Sequence, residues 1–124
     1  MPTDSNRMKA LRGAITVERD EPEEVRAATE ELLRELFDRN GVAAEDIVSV
    51  LFTATPDVTS EFPAVAARSL GLSEVPLLCA AEIAVPNALP HCIRVLIHLY
   101  SDRAAGELRH VYLRDARALR TDLE

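Results

Sequence analysis

The sequence predicts an α/β (α+β) fold, with a single mixed five-stranded sheet, one long helix and one short helix. Three observations predict it. Five short runs alternate apolar with polar residues or are rich in β-branched ones. One long run repeats its apolar residues at helical spacing. The last three strand-like runs follow one another with no helical pattern between them, which gives the order β-α-β-α-β-β-β and argues for a sheet with one covered face.

Taken in order, Met8 to Val17 reads as a strand. Leu11, Gly13, Ile15 and Val17 share one parity; Ala10, Arg12, Ala14 and Thr16 share the other, so Arg12 points away from the apolar stripe. The following E-R-D-E-P-E-E opens a helix, with Asp20 as expected N-cap, Glu23 as its capping-box partner and Pro22 in the first turn. Val25, Ala28, Leu32, Leu36 and Phe37 give that helix its stripe as far as Asn40, and Gly41 stops it. Asp46 to Thr53 is a second strand, ended by Thr55-Pro56-Asp57. Phe62 to Leu70 is a short helical piece closed by Gly71. Val75 to Ala80 is a third strand, and Pro76 places it at an edge or a strand end. A crossing rich in turn residues, with Pro86 and Pro90, leads to the clearest strand, Cys92 to Ser101. There Ile93, Val95, Ile97 and Leu99 oppose Cys92, Arg94, Leu96, His98 and Tyr100. Arg109 to Leu113 is the last strand, with His110 and Tyr112 on the polar side. The whole chain, 1–124, is expected to be one domain, with residues 1–7 a frayed N-terminus and 115–124 a C-terminal tail along the surface.

Composition narrows the function. Apolar residues make up 48% of the chain, enough to build a core. A net charge of −7 argues against nucleic acid or an anionic membrane as partner, since both need a basic footprint. The first residues contain no apolar signal region, and no apolar run is long enough to span a membrane. Cys79 and Cys92 form no C-x-x-C, and the Cys and His residues form no metal-ligand cluster. A cytoplasmic protein that holds no metal is expected.

The polar parity of the sheet carries Arg12, Arg94, His98, Tyr100 and Tyr112 among small and apolar residues. Such a face is too apolar for plain surface and too polar for a plain core, and an oligomer interface with a cleft in it satisfies both. The stretch Val75 to Arg94 has only two charged residues, Glu82 and Arg94. They either pair with each other as structural groups or serve a ligand. Two arginines suit a dicarboxylate, because the guanidinium fork binds carboxylate bidentately. Tyr112 adds a hydroxyl donor and Glu82 an acceptor. His98 is available as a base, although a lone histidine on a strand is more often structural. No nucleophile is in evidence, which suits binding or a reaction driven by electrostatics alone.

The motifs L-R-G-A-I-T-V-E-R-D (Leu11–Asp20), A-T-P-D (Ala54–Asp57), F-P-A-V-A-A-R (Phe62–Arg68), C-A-A-E (Cys79–Glu82), C-I-R-V (Cys92–Val95), R-H-V-Y-L (Arg109–Leu113) and L-R-T-D-L (Leu119–Leu123) resemble, in order, the monofunctional chorismate mutases of the trimeric α/β-barrel class. That class is distinct from the all-helical one. The resemblance implies a homotrimeric pseudo-α/β-barrel with clefts between subunits. It also implies a cofactor-free rearrangement of chorismate to prephenate in the shikimate pathway to Phe and Tyr. Residue by residue, it implies that Arg12 binds a substrate carboxylate with support from Tyr112. Glu82 accepts from the ring hydroxyl with Cys79 beside it, and Arg94 reaches the ether oxygen and a carboxylate. Phe62, Ala64 and Arg68 close the cleft from the neighbouring subunit; Leu78 and Leu119 line it and Arg120 helps cover it. Val65 departs from the pattern, standing where a lysine is common. Cys79 and Glu82 fall on opposite faces of an ideal strand, so a bulge or a strand end near Ala80–Ala81 is required to bring both to one cleft. The alternatives are a trimeric imine or enamine deaminase of similar barrel, which needs only one of the two arginines, and a non-catalytic metabolite-binding domain.

Overall fold

The computed structural model describes residues 7–119; the expectations for residues 1–6 and for Arg120 and the four residues after it lie outside the described residues. The strands are β1 (Arg7–Thr16), β2 (Ile47–Ala54), β3 (Leu77–Ala81), β4 (Cys92–Ser101) and β5 (Val111–Tyr112), and the helices are α1 (Pro22–Asn40) and α2 (Ala64–Ser69). Short 3-10 turns lie at Ala44–Asp46, Ala105–Glu107 and Arg114–Leu119. The five strands form one sheet in the order β3-β2-β4-β1-β5. β4 runs antiparallel to both β1 and β2, while β3 pairs parallel with β2 and β5 parallel with β1, so the sheet is mixed. Pro76 therefore precedes an edge strand, where a missing N–H costs little.

The two parities of the sheet separate as the alternation predicts. Leu11 and Ile15 of β1, Val50 and Phe52 of β2, and Ile93, Val95, Ile97 and Leu99 of β4 are buried in one cluster with Val25, Ala28, Leu32, Leu33 and Leu36 of α1. Gly13 lies at the centre of this contact. A Cβ there would stand 2.9 Å from Leu36 Cδ1, 3.0 Å from Leu32 Cδ1 and 3.0 Å from the Val111 carbonyl oxygen. The absent side chain is what lets the helix approach the sheet while β5 pairs beside it.

Five expectations are corrected. Arg7 belongs to β1 and not to a frayed end. Asp20 does not cap α1: the N-cap is Glu21 with no side-chain bond. The Asp20 carboxylate instead accepts from Thr59 N (3.0 Å), Thr59 Oγ1 (2.8 Å) and Ser60 N (3.1 Å), across the fold. Glu24, not Glu23, reaches back and accepts from the amides of Glu18 and Arg19. The Arg109–Leu113 strand shrinks to two residues because side chains take over its ladder. Asn40 donates to Arg109 O (2.9 Å) and accepts from Arg109 N (2.7 Å), and His110 Nδ1 accepts from the Arg12 amide (3.0 Å). The tail does not simply run along the surface. Arg114 donates to Thr16 O (3.1 Å) and to Glu31 (2.8 Å), Asp115 N donates to Thr16 Oγ1 (3.2 Å), and Ala116 is fully buried.

Candidate active site

On the face opposite α1, strand register sets a row of side chains across the whole sheet. Tyr112 lies beside Ala14, Ala14 beside Arg94, Arg94 beside Thr53 and Thr53 beside Ala80. A second row runs Arg12, Leu96, Leu51 and Leu78. Arg12, Thr53, Arg94 and Tyr112 line one cavity of about 310 Å³, floored by Gly13 and Val95 and flanked by Leu51 and Leu96. Three sequence-predicted residues from three strands thus meet in one concavity, because β1, β4 and β5 are neighbours and each presents its polar parity there.

Glu82 enters from the end of β3. Its amide donates to Ala54 O (2.9 Å), which continues the β2–β3 pairing one step beyond the strand. Its Oε2 accepts from Arg94 Nε at 3.1 Å and from Thr53 Oγ1 at 2.5 Å. The pairing that the sequence left open is therefore present, and Thr53 is a partner that sequence reasoning missed. A threonine in a β-branched run reads as strand propensity, and only the register with Arg94 shows its second use. The side chain of Arg94 is about half exposed at 46%, and with Nε on Glu82 its guanidinium still has donors to offer a ligand. Arg12 is exposed, and its guanidinium meets no acceptor among the described residues.

At the Tyr112 end of the row lies a small second cluster, Ala14, Cys92 and Ala116, against which Leu89, Tyr112 and Leu119 pack. Burial pushes the Cys92 thiol up to about 11 despite the opposing pull of Arg94, so this sulfur stays protonated and inert at neutral pH. Leu119 packs against this cluster, as Tyr112 does, and is not among the residues that line the Arg94 cavity.

Other expected residues lie elsewhere in the chain. The β2–β3 register runs unbroken from Val50–Leu77 to Ala54–Ala81, so there is no bulge; of the two expected alternatives the strand end is present, since β3 stops at Ala81, directly before Glu82. Cys79 consequently packs against the main core, and with Phe62 it lines a separate cavity of about 410 Å³. Leu78, 65% exposed, is on the Arg94 side of β3 but outside the cavity that Arg94 lines. Ala64 is buried in the main core, Arg68 is exposed on α2, and Phe62 is 68% exposed just before it. None of these three reaches the Arg94 cavity of its own chain. His98 lies two residues along β4 from Leu96, with Nδ1 3.3 Å from Ser49 Oγ. Among the described residues no cluster of His, Cys, Asp and Glu is arranged to hold a metal.

Comparison with known proteins agrees across almost the entire chain. A profile of the family described as chorismate mutase type I matches residues 8–123. A chorismate mutase AroH from Thermus thermophilus is 50% identical over 118 residues, covering 94% of this chain and 97% of that protein. A chorismate mutase AroH from Bacillus subtilis is 42% identical over 117 residues, covering 94% and 92%. The solved structure of a chorismate mutase from Clostridium thermocellum superposes with a TM-score of 0.87 at 42% identity, covering 89% of this chain and 98% of that one.

Proposed function

The chain belongs to the chorismate mutase type I family, and on that premise we propose that the cavity holding Arg12, Arg94 and Tyr112, with Glu82 at its edge, is the active site. As a chorismate mutase the protein is an isomerase that turns chorismate into prephenate on the way to aromatic amino acids. The family match sets aside the deaminase and the metabolite-binding domain. The reaction is intramolecular: one C–O bond breaks as one C–C bond forms, no proton is transferred and no co-reactant is consumed. What a protein contributes to such a step is orientation and a complement to the charge that grows on the ether oxygen.

The observation that carries the assignment is the convergence of two arginines and one carboxylate on a single sheet face. In this reading Arg12, with Tyr112 beside it, takes one substrate carboxylate. Glu82 accepts from the ring hydroxyl. Arg94, whose Nε meets Glu82 in the free protein, turns its donors to the ether oxygen and the second carboxylate. Three copies close the site: the sheet face carrying Leu51, Leu78 and Leu96 packs within a homotrimer, and the segment with Phe62, Ala64 and Arg68 reaches the cleft of the next copy. Ala64 acts there by its backbone, since its side chain belongs to its own core. Leu119 borders the cleft, and Arg120 covers it. Cys79 contributes backbone only, because its side chain points to the core. No helix among the described residues is long and apolar enough to cross a membrane; we place this single-domain enzyme in the cytoplasm.

Steady-state turnover of chorismate, followed by its absorbance, tests the assignment. Removing one preorganised donor from developing oxyanion charge costs about 3–4 kcal/mol in other enzymes. Arg94→Ala should lower kcat at least about a hundredfold, equivalent to about 2.7 kcal/mol. Arg94→Lys should restore only part of this, since one ammonium cannot span two acceptors. Arg12→Ala should act mainly through KM, because its carboxylate contact exists before and during the step. An Arg94→Ala enzyme with near wild-type kcat would remove the main agent of the mechanism.

A further inference from the structure

We propose that Thr53 is a positioning residue for the reaction: its hydroxyl holds the Glu82 carboxylate in place while Arg94 is drawn to the substrate. The inference rests on the reading of Glu82 as acceptor for the substrate hydroxyl. Both protein donors to Glu82 meet the same oxygen, Oε2: Thr53 Oγ1 at 2.5 Å and Arg94 Nε at 3.1 Å. The distance to Thr53 is that of a charge-assisted O–H···O⁻ bond. No donor among the described residues meets Oε1, which leaves that oxygen to a ligand.

The two donors are unequal in what they can do during turnover. Arg94 is half exposed, on a long side chain, and the reaction asks its guanidinium to follow charge onto the ether oxygen. Thr53 has no such second task. It sits on β2, flanked by β4 and β3, directly across from Arg94 and Ala80. Its side chain is β-branched and stiff at χ1. Glu82, by contrast, follows the last residue of the edge strand β3, where the backbone alone fixes a carboxylate poorly. A rigid central-strand hydroxyl therefore ties an end-of-strand carboxylate to the same row as the catalytic arginine. Without it, each pull of substrate on Arg94 would also release Glu82.

The test is a kinetic cycle on the intact enzyme with chorismate. Thr53→Val removes the hydroxyl and keeps the shape, and should lower kcat/KM about tenfold. Thr53→Ser keeps the donor and should stay within about twofold of wild type. Glu82→Gln should lower kcat/KM by more than Thr53→Val does. In the double variant the valine should add less than about twofold, because the group it positions is already disabled. A purely structural threonine would give equal losses in both backgrounds and no rescue by serine, and that pattern would overturn the proposal, as would a Thr53→Val enzyme with wild-type kcat/KM. Should valine crowd the row and lower the melting temperature, Thr53→Ala supplies the same comparison without added bulk. If Glu82→Gln alone kept wild-type kcat/KM, the failure would lie in the reading of Glu82 itself, and the proposal for Thr53 would fall with it.

Discussion

Asp20 shows how a residue can be right in type and wrong in partner. An aspartate just ahead of an apolar-periodic run with proline in its first turn is the pattern of an N-cap, yet its carboxylate holds the Thr59–Ser60 loop that leads into α2. Sequence spacing cannot distinguish the two, because the loop arrives from 39 and 40 residues away. Burial alone would raise its pKa, but the donors from Ser60 and Thr59 outweigh this and hold it down at about 2. The unfolded value is about 3.9. A depressed folded pKa means that the contribution to stability is present above about pH 4 and is lost as pH falls toward about 2. Asp20→Asn should therefore be less stable than wild type at neutral pH, with the gap closing between those limits. Urea unfolding across that range is the measurement, and a gap independent of pH would show that the loop is held by something other than the charge. Thr53 was illegible for a related reason, since it is defined by which residue lies across the sheet. Cys79 was legible by parity, which set it opposite Glu82, and the continuous register sends its side chain to the core.

At the scale of elements most of the fold was legible, because it rests on periodicity. The stripe Val25, Ala28, Leu32, Leu36 and the alternation in β1 and β4 each fix which side is buried, and register then carries Arg12 and Arg94 to the same face. What the pattern did not show was how β5 is held. Two residues of ladder are too few to read, and the remainder is done by Asn40 and His110. Gly13 is where these elements are tightest. Gly13→Ala would press a methyl against Leu36, Leu32 and the Val111 carbonyl, and although the leucine tips can give, the backbone oxygen cannot without moving β5. Overpacking of this kind costs about 1–3 kcal/mol. The variant should melt lower and bind chorismate more weakly, since Tyr112 travels with Val111. Scanning calorimetry and KM together decide it; an unchanged melting temperature would mean that the sheet yields more easily than its packing suggests.

At the scale of the molecule, the half-polar sheet face argues for assembly. Met8, Leu78 and Tyr100 are 56%, 65% and 47% exposed on the side away from α1, in line with Leu51 and Leu96. Light scattering on the eluting protein should give three times the chain mass of 13.7 kDa, and an active monomer would refute a shared cleft. A sharper consequence follows from the distance between the Arg94 cavity and the segment bearing Arg68, which never meet within one chain. If each cleft takes Arg94 from one copy and Arg68 from the next, two crippled enzymes should complement each other. Arg94→Ala and Arg68→Ala chains, unfolded together and reassembled at equal ratio, would form mixed rings in which one cleft of three inherits both arginines. About a quarter of all clefts would then be whole, by the combinatorics of a cyclic trimer. At low chorismate the mixture should outperform both parents, whereas activity equal to their average at every ratio would mean that each chain works alone.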